Sequence, residues 1–194
     1  ETDTRSRRQE LLDIAGGLFA ERGFKNTTVR DIADAAGILS GSLYHHFDSK
    51  ESMVDEILRG FLDDLFGRYR EIVASGSDSR ATLEALITAS YESIDKSHAA
   101  VAIYQDEAKR LVENERFSYI SDRNTEFRDL WVGVIERGIA DGTFRPDVDV
   151  ELVFRFLRDT VWVAVRWYRP GGTLTADKVA QQYLSIVLDG LANP

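Results

Sequence analysis

Apolar side chains return every three or four positions along almost the whole chain, the period of a helix rather than of a strand. Leu11, Ile14, Ala15, Leu18 and Phe19 make the first stripe, and Gly23 ends it. A shorter stripe, Ile32, Ala33 and Ala36, follows Thr28, which reads as a helix cap completed by Asp31 three residues on. Gly37 suits a tight turn, and beyond it Ile38 and Leu43 face inward beneath a second short helix, Ser40 to Phe47. Asp48 with Glu51 signals the start of a long helix over residues 51–74. Its buried stripe is Val54, Ile57, Leu58, Phe61, Leu62, Leu65, Tyr69, Ile72 and Val73. Further helices are predicted over residues 80–96, 98–113, 117–141, 149–168 and 175–191. Loops rich in Ser, Gly and Pro interrupt them, the clearest around Gly76, Pro146 and Pro170-Gly171-Gly172. The chain therefore reads as all-α: a small three-helix head, residues 1–47, and a larger helical body, residues 48–194. The helix over 51–74 joins them with no flexible linker.

The second short helix of the head is polar where a core helix would be apolar. Ser40, Ser42, Tyr44, His45 and His46 have no interior to serve, and Gly41 lets the backbone approach a surface closely. Two short helices around a glycine turn, the second with an idle polar face, are the build of a helix-turn-helix that lays a helix in the DNA major groove. The bland alternative is two packed helices. Hydroxyls and imidazoles bond base edges or phosphates, and the Tyr44 hydroxyl reaches a phosphate. Thr28, at a helix start, presents a hydroxyl and an amide to phosphate, and Lys50 meets the backbone from the following helix. Arg5, Arg7 and Arg8 read as a leading arm that adds phosphate or minor-groove contacts. Adjacent histidines on a helix point about 100° apart, so His45 and His46 make a poor metal pair, and no metal is expected.

A net charge of -9 argues at first against DNA. Residues 1–50 hold seven Lys/Arg against eight Asp/Glu, a net of -1, which leaves -8 for the remainder. An acidic body behind a near-neutral head turns the head toward phosphate, because the body is repelled. The absence of cysteine excludes disulfides and thiol chemistry, and no apolar run approaches the roughly 20 residues of a membrane span. A cytoplasmic location is expected. No Ser-His-Asp grouping, Gly-rich phosphate loop or two-histidine metal helix is present, so no enzyme is expected.

In the body, Glu151 to Tyr168 is apolar on nearly every face and should be buried more than once. One face should meet the body. Another should meet a second copy of the chain, together with Ala176, Val179, Ala180, Tyr183, Leu184, Val187 and Leu191. Arg158, Trp162 and Arg166 are spaced to share one side of this helix. A buried arginine needs an anion. Either Asp159, Glu107 or a partner chain supplies it, or Arg158 with Trp162 receives an anionic ligand carrying a bulky apolar group. Tyr104, Gln105, Tyr119, Arg123, Phe127 and Trp131, with Phe61 and Leu65 on the joining helix, either line such a cavity or are ordinary core.

The string from Thr28 through Leu43-Tyr44-His45-His46-Phe47 to Lys50 resembles the DNA-binding half of TetR-family transcriptional repressors. That resemblance implies Ser42, Tyr44, His46 and Lys50 as DNA contacts and a dimer built from the last two helices of each chain. The similarity extends through the body. Ile103-Tyr104-Gln105-Asp106-Glu107-Ala108, Arg116-Phe117-Ser118-Tyr119-Ile120 and Val165-Arg166-Trp167-Tyr168-Arg169-Pro170-Gly171-Gly172 are similar to actinobacterial repressors of cholesterol catabolism. They look most like the branch that controls breakdown of the last two steroid rings and the propionate side. The resemblance implies an acyl-CoA effector, the thioester of a hydroindanedione propionate, and release from a palindromic operator when it binds. The alternatives are a TetR-type repressor for another ligand, such as a fatty acyl-CoA or a drug, or a helical acyl-CoA-binding enzyme. On this reading operator affinity falls steeply with salt, by about 0.9 log unit per log unit of salt for each phosphate neutralised. Titrating a labelled operator fragment across salt concentrations checks this, and a flat dependence refutes the mode of binding.

Overall fold

The computed structural model describes the backbone of residues 2–191 and the side chains of residues 7–188, so the Arg5 and Leu191 side chains lie outside the described residues. The helices are α1 Thr2–Arg22, α2 Val29–Ala35, α3 Ser40–Leu43, α4 Lys50–Ala74, α5 Ser79–Lys96, α6 His98–Leu111, α7 Tyr119–Ala140, α8 Val150–Val163 and α9 Ala176–Leu191. Two 3-10 turns, Glu115–Phe117 and Ala164–Arg166, complete the ordered elements, and no strand occurs among the described residues. The chain folds as two compact units. One contains the chain up to Phe61 with Ala99–Tyr119; the other contains Leu62–His98 and the chain from Ile120 onward.

The first unit is built on α1, whose Leu11, Leu12, Ala15 and Phe19 are buried, as are Ile32, Ala33, Leu43 and Phe47 of the following segments. Gly23 takes φ +82° where α1 stops. Buried Thr27 donates its hydroxyl to the Gly23 carbonyl at 2.9 Å. Thr28 and Asp31 form the expected capping box of α2: the Asp31 amide donates to the Thr28 hydroxyl at 3.1 Å and the Thr28 amide donates to Asp31 at 2.7 Å. The bonds from the Thr28 hydroxyl and amide hold the Asp31 carboxyl below the ordinary carboxylate range. Its help is therefore present at neutral pH and fades as acid protonates it. Gly37 reverses the chain at φ +66°.

Two sequence expectations are corrected here. The second short helix ends at Leu43 rather than Phe47, and residues 44–46 close as turns. The cap of α4 is Ser49 with Ser52, not Asp48 with Glu51: the Ser52 amide donates to Ser49 Oγ at 3.1 Å and the Ser49 amide to Ser52 Oγ at 3.2 Å. A serine pair makes the same reciprocal bonds as a capping box with shorter arms.

The second unit packs α5 against α9 and α8. Asp78 and Asp149 cap α5 and α8 by accepting from the Ala81 and Leu152 amides at 2.8 and 3.0 Å. The helix predicted to reach residue 168 tightens into the 3-10 turn after Val163. Tyr168, just beyond, donates its hydroxyl to Asp95 at 2.6 Å, and the His98 imidazole bonds the Val165 and Tyr168 carbonyls at 3.0 and 3.2 Å. In α7, Gly138 lies under the buried Phe144 ring: a Cβ there would stand 2.2 Å from that ring and 3.0 Å from Ser79 Cβ. Gly138→Ala is expected to destabilise the protein by about 1–3 kcal/mol through overpacking. Urea unfolding of the variant measures it, and an unchanged midpoint refutes the constraint.

Candidate DNA-reading face and effector site

A four-residue helix cannot hold its own orientation, so the neighbours of α3 must supply it. Arg8 does most of this. Its guanidinium donates to the His46 carbonyl and to Glu56 of α4 at 2.5 and 3.1 Å, and stands 4.2 Å from the Phe47 ring centroid. Arg7 pairs with Glu10 at 2.6 Å and donates to the Ala36 carbonyl at 3.2 Å. The expected arm is thereby corrected: Arg7 and Arg8 face the head's own carbonyls and carboxylates, because α1 continues through them as helix and aims them at α2, α3 and α4.

With α3 pinned from behind, its other face is free. Gly41, Tyr44 and His45 are exposed, while Ser40, Ser42 and His46 are half-buried. Thr28 is exposed beside them, its hydroxyl donating to Asp31 at 2.6 Å. Lys50 is placed differently from the expectation. Its amine donates to the Phe24 and Thr27 carbonyls at 2.9 and 3.2 Å and lies 4.3 Å from the Phe24 ring centroid. Glu107 of α6 accepts from the Phe24 amide at 3.2 Å, so both backbone polar groups of that residue are held. The face thus offers hydroxyls, a phenol and an imidazole rather than cations. Leu39, at the start of α3, is 80% exposed and was not signalled by the sequence pattern.

The residues expected at an effector are placed as follows. In the first unit, buried Phe61 meets Tyr104 edge-on at 6.3 Å, and burial pushes the Tyr104 hydroxyl up to about 12. Gln105 is exposed, because α6 turns it outward while Ile103 takes the interior position. In the second unit, Leu65, Trp131 and Trp162 are buried. Phe127 is the hub of an aromatic cluster, with Trp131, Phe154, Tyr69, Trp162 and Phe66 all between 5.4 and 6.5 Å. Trp162 is buried near the end of α8, whereas Arg166 lies in the 3-10 turn that follows and is exposed. Arg158 is half-buried and paired with Asp159 at 2.7 Å, the bland one of the two expected arrangements.

The sequence pattern missed an open groove of about 680 Å³ between the last turn of α4 and α7, lined by Val73, Leu130 and Val134 with Asp122, Asp129 and Arg137. The outer side of α8 carries Leu152, Phe156 and Val163, continued by Trp167, all exposed. On α9, Ala180 is buried and Ala176, Val179, Tyr183, Leu184 and Val187 are half-buried, Tyr183 meeting Tyr91 of α5 at 5.8 Å, while Ile186 is 68% exposed.

A pinned short helix with an exposed polar face, preceded by a capped helix and a glycine turn, defines a DNA-binding protein of the helix-turn-helix class. Residues 11–57 match the family of bacterial regulatory proteins of the tetR type, and residues 76–191 match the tetracyclin repressor-like C-terminal domain. The chain belongs to the TetR family of transcriptional regulators. It is 80% identical to the HTH-type transcriptional repressor KstR2 of Rhodococcus jostii, over 97% of this chain and 92% of that protein. It is 64% identical to the repressor of the same name from Mycobacterium tuberculosis, over 96% of this chain and 93% of that one. The structure of the ketosteroid transcriptional regulator KstR2 of M. tuberculosis superposes with a TM-score of 0.95 at 63% identity, covering 97% of this chain and 96% of that one. The chain is accordingly a helix-turn-helix repressor, and its close relatives are regulators rather than enzymes. Tyr44→Phe is expected to weaken operator binding by about 1 kcal/mol if the phenol holds a phosphate. Comparative gel-shift titration decides, and equal affinity removes that contact.

Proposed function

We propose that this protein represses genes of steroid catabolism, cholesterol in particular, and leaves a palindromic operator when a steroid-derived CoA thioester binds its body. The single observation that carries this is 80% identity across nearly the full chain to a repressor named KstR2, whose M. tuberculosis counterpart is called a ketosteroid regulator. Identity of that extent covers the body as well as the head, and the body is where an effector is selected. The working protein is a cytoplasmic homodimer joined through α8 and α9. The exposed stripe Leu152, Phe156, Val163 and Trp167 supports this, since so much apolar surface on one side of a helix marks a contact between proteins. A two-fold pair presents two copies of α3 about 34–36 Å apart, matching half-sites one helical turn apart.

The effector is bulky and apolar at one end and polyanionic at the other. Trp162 offers an apolar wall beside the Phe127 cluster. Arg158, at the surface of the same helix, offers a cation to the anionic end once Asp159 yields it. Trp131 and Leu65 of the same unit extend the apolar lining, and Thr28, Ser40, Gly41, Ser42, Tyr44, His45 and His46 are the DNA-contacting set. Release follows if the thioester binds better to a dimer whose heads no longer match the operator spacing, because only such differential affinity shifts the equilibrium.

Arg158→Met is expected to leave operator affinity unchanged and to raise the thioester concentration needed for release by about ten- to a hundred-fold, the worth of a hydrogen bond to a charged group. Titrating the hydroindanedione propionyl thioester, a fatty acyl-CoA and free CoA against the repressor on its operator tests both the site and the ligand class. Release by the fatty acyl-CoA alone overturns the steroid reading, and a normal response from the variant removes Arg158 from the site.

A further inference from the structure

Leu39 is more exposed than any other large apolar side chain among the described residues, at 80%. It occupies the N-cap of α3 with an extended backbone, φ -74° and ψ 143°, and its side chain makes no capping bond. Its carbonyl accepts from the Ser42 amide at 2.9 Å, so the backbone of the helix is served while the side chain serves nothing in the fold. N-caps favour Ser, Thr, Asp or Asn, whose oxygen satisfies an orphan amide of the first turn. This chain follows that preference at α2, α5 and α8 with Thr28, Asp78 and Asp149. At α3, the shortest helix and the one most in need of a cap, it places a leucine. One residue breaks two local rules together, burial of large apolar groups and polar capping. Such breaches concentrate where a sequence answers to a partner instead of to its own fold.

The partner of this surface is duplex DNA, since Leu39 adjoins Ser40, Gly41 and Ser42 and lies on the helix-turn-helix. Residues at the start of a recognition helix reach base edges in the major groove. The apolar group that a base pair displays there is the C5-methyl of thymine. The Ser40 and Ser42 hydroxyls donate and accept alike and discriminate weakly between bases. An apolar contact discriminates without charge, which suits a head whose first 50 residues carry a net charge of only -1. We propose that Leu39 is a specificity-determining residue that packs its isobutyl group on a thymine methyl in each half-site of the operator. The inference rests on the operator-binding reading above.

The test separates the two. The intact protein selects a duplex from a randomised double-stranded library, and each thymine of that duplex is then replaced, symmetrically in both half-sites, by deoxyuridine, which lacks only the methyl. One position is expected to lose affinity about four-fold per half-site, the worth of burying a single methyl-sized group. Leu39→Ala is expected to bind the thymine and deoxyuridine duplexes equally at that position, and Leu39→Met to restore the difference. Leu39 makes no core contact, so the variants fold, and their unfolding midpoints verify it. A library that yields no duplex overturns operator binding itself. A selected duplex indifferent to every deoxyuridine, or one whose loss persists unchanged in Leu39→Ala, overturns the Leu39 assignment alone.

Discussion

The head is organised around the Arg8 guanidinium. The helix that carries the DNA-reading face has four residues and no side-chain cap, far too little to persist by its own hydrogen bonds. Arg8 binds the carbonyl of His46 just after that helix, the carboxylate of Glu56 on α4 and the face of the Phe47 ring. A planar fork of five donors can meet a carbonyl, a carboxylate and an aromatic face at once, which a lysine cannot. Three segments remote in sequence therefore share one reference point. Everything α3 presents outward depends on that geometry, from Leu39 through His45.

A second cation works in the same way at the other edge of the head. Lys50 takes the carbonyls of Phe24 and Thr27 and covers the Phe24 ring, and Glu107 takes the Phe24 amide. The turn between α1 and α2 is thus held by α4 and α6. The basic residues nearest the reading face are consequently occupied in positioning it. Recognition is left to neutral groups, and a protein of this design should owe more of its selectivity to shape and base edges than to phosphate attraction. The acidity of the chain agrees, since a net charge of -9 discourages indiscriminate adsorption to nucleic acid.

The body divides its labour by helix face. One side of α8 sends Phe154, Leu157, Val161 and Trp162 into the interior, and the opposite side leaves Leu152, Phe156 and Val163 outside. A helix apolar on both sides has two surfaces to cover, and folding of one chain covers one of them. The switch to a 3-10 turn at Ala164 then lets Tyr168 reach Asp95 and places two carbonyls over His98. The aromatic cluster around Phe127 fills the interior beside α8 with rings.

Helical period made the fold class legible, and every predicted helix is present because a stripe of Leu, Ile, Val and Phe at that spacing can be buried in no other conformation. The capping box at Thr28 and the turn at Gly37 were equally legible, since both are set by residues adjacent in the chain. Local signals failed where two answers were locally equivalent. Ser49 with Ser52 caps α4 as well as Asp48 with Glu51 would, and the end of α8 depends on a tyrosine finding Asp95, 73 residues earlier. Charged side chains were the least legible. Arg8 and Lys50 are long and flexible, and a sequence shows that they carry charge but not which carbonyl comes within reach. By itself the sequence determined the elements, the position of the reading helix and the acidic balance of the body, all properties of neighbouring residues. Only the tertiary structure decided that Arg8 and Lys50 point inward, that Arg166 is exposed where Trp162 is buried and that Leu39 stands outside, because those outcomes turn on contacts between segments that the chain brings together only on folding.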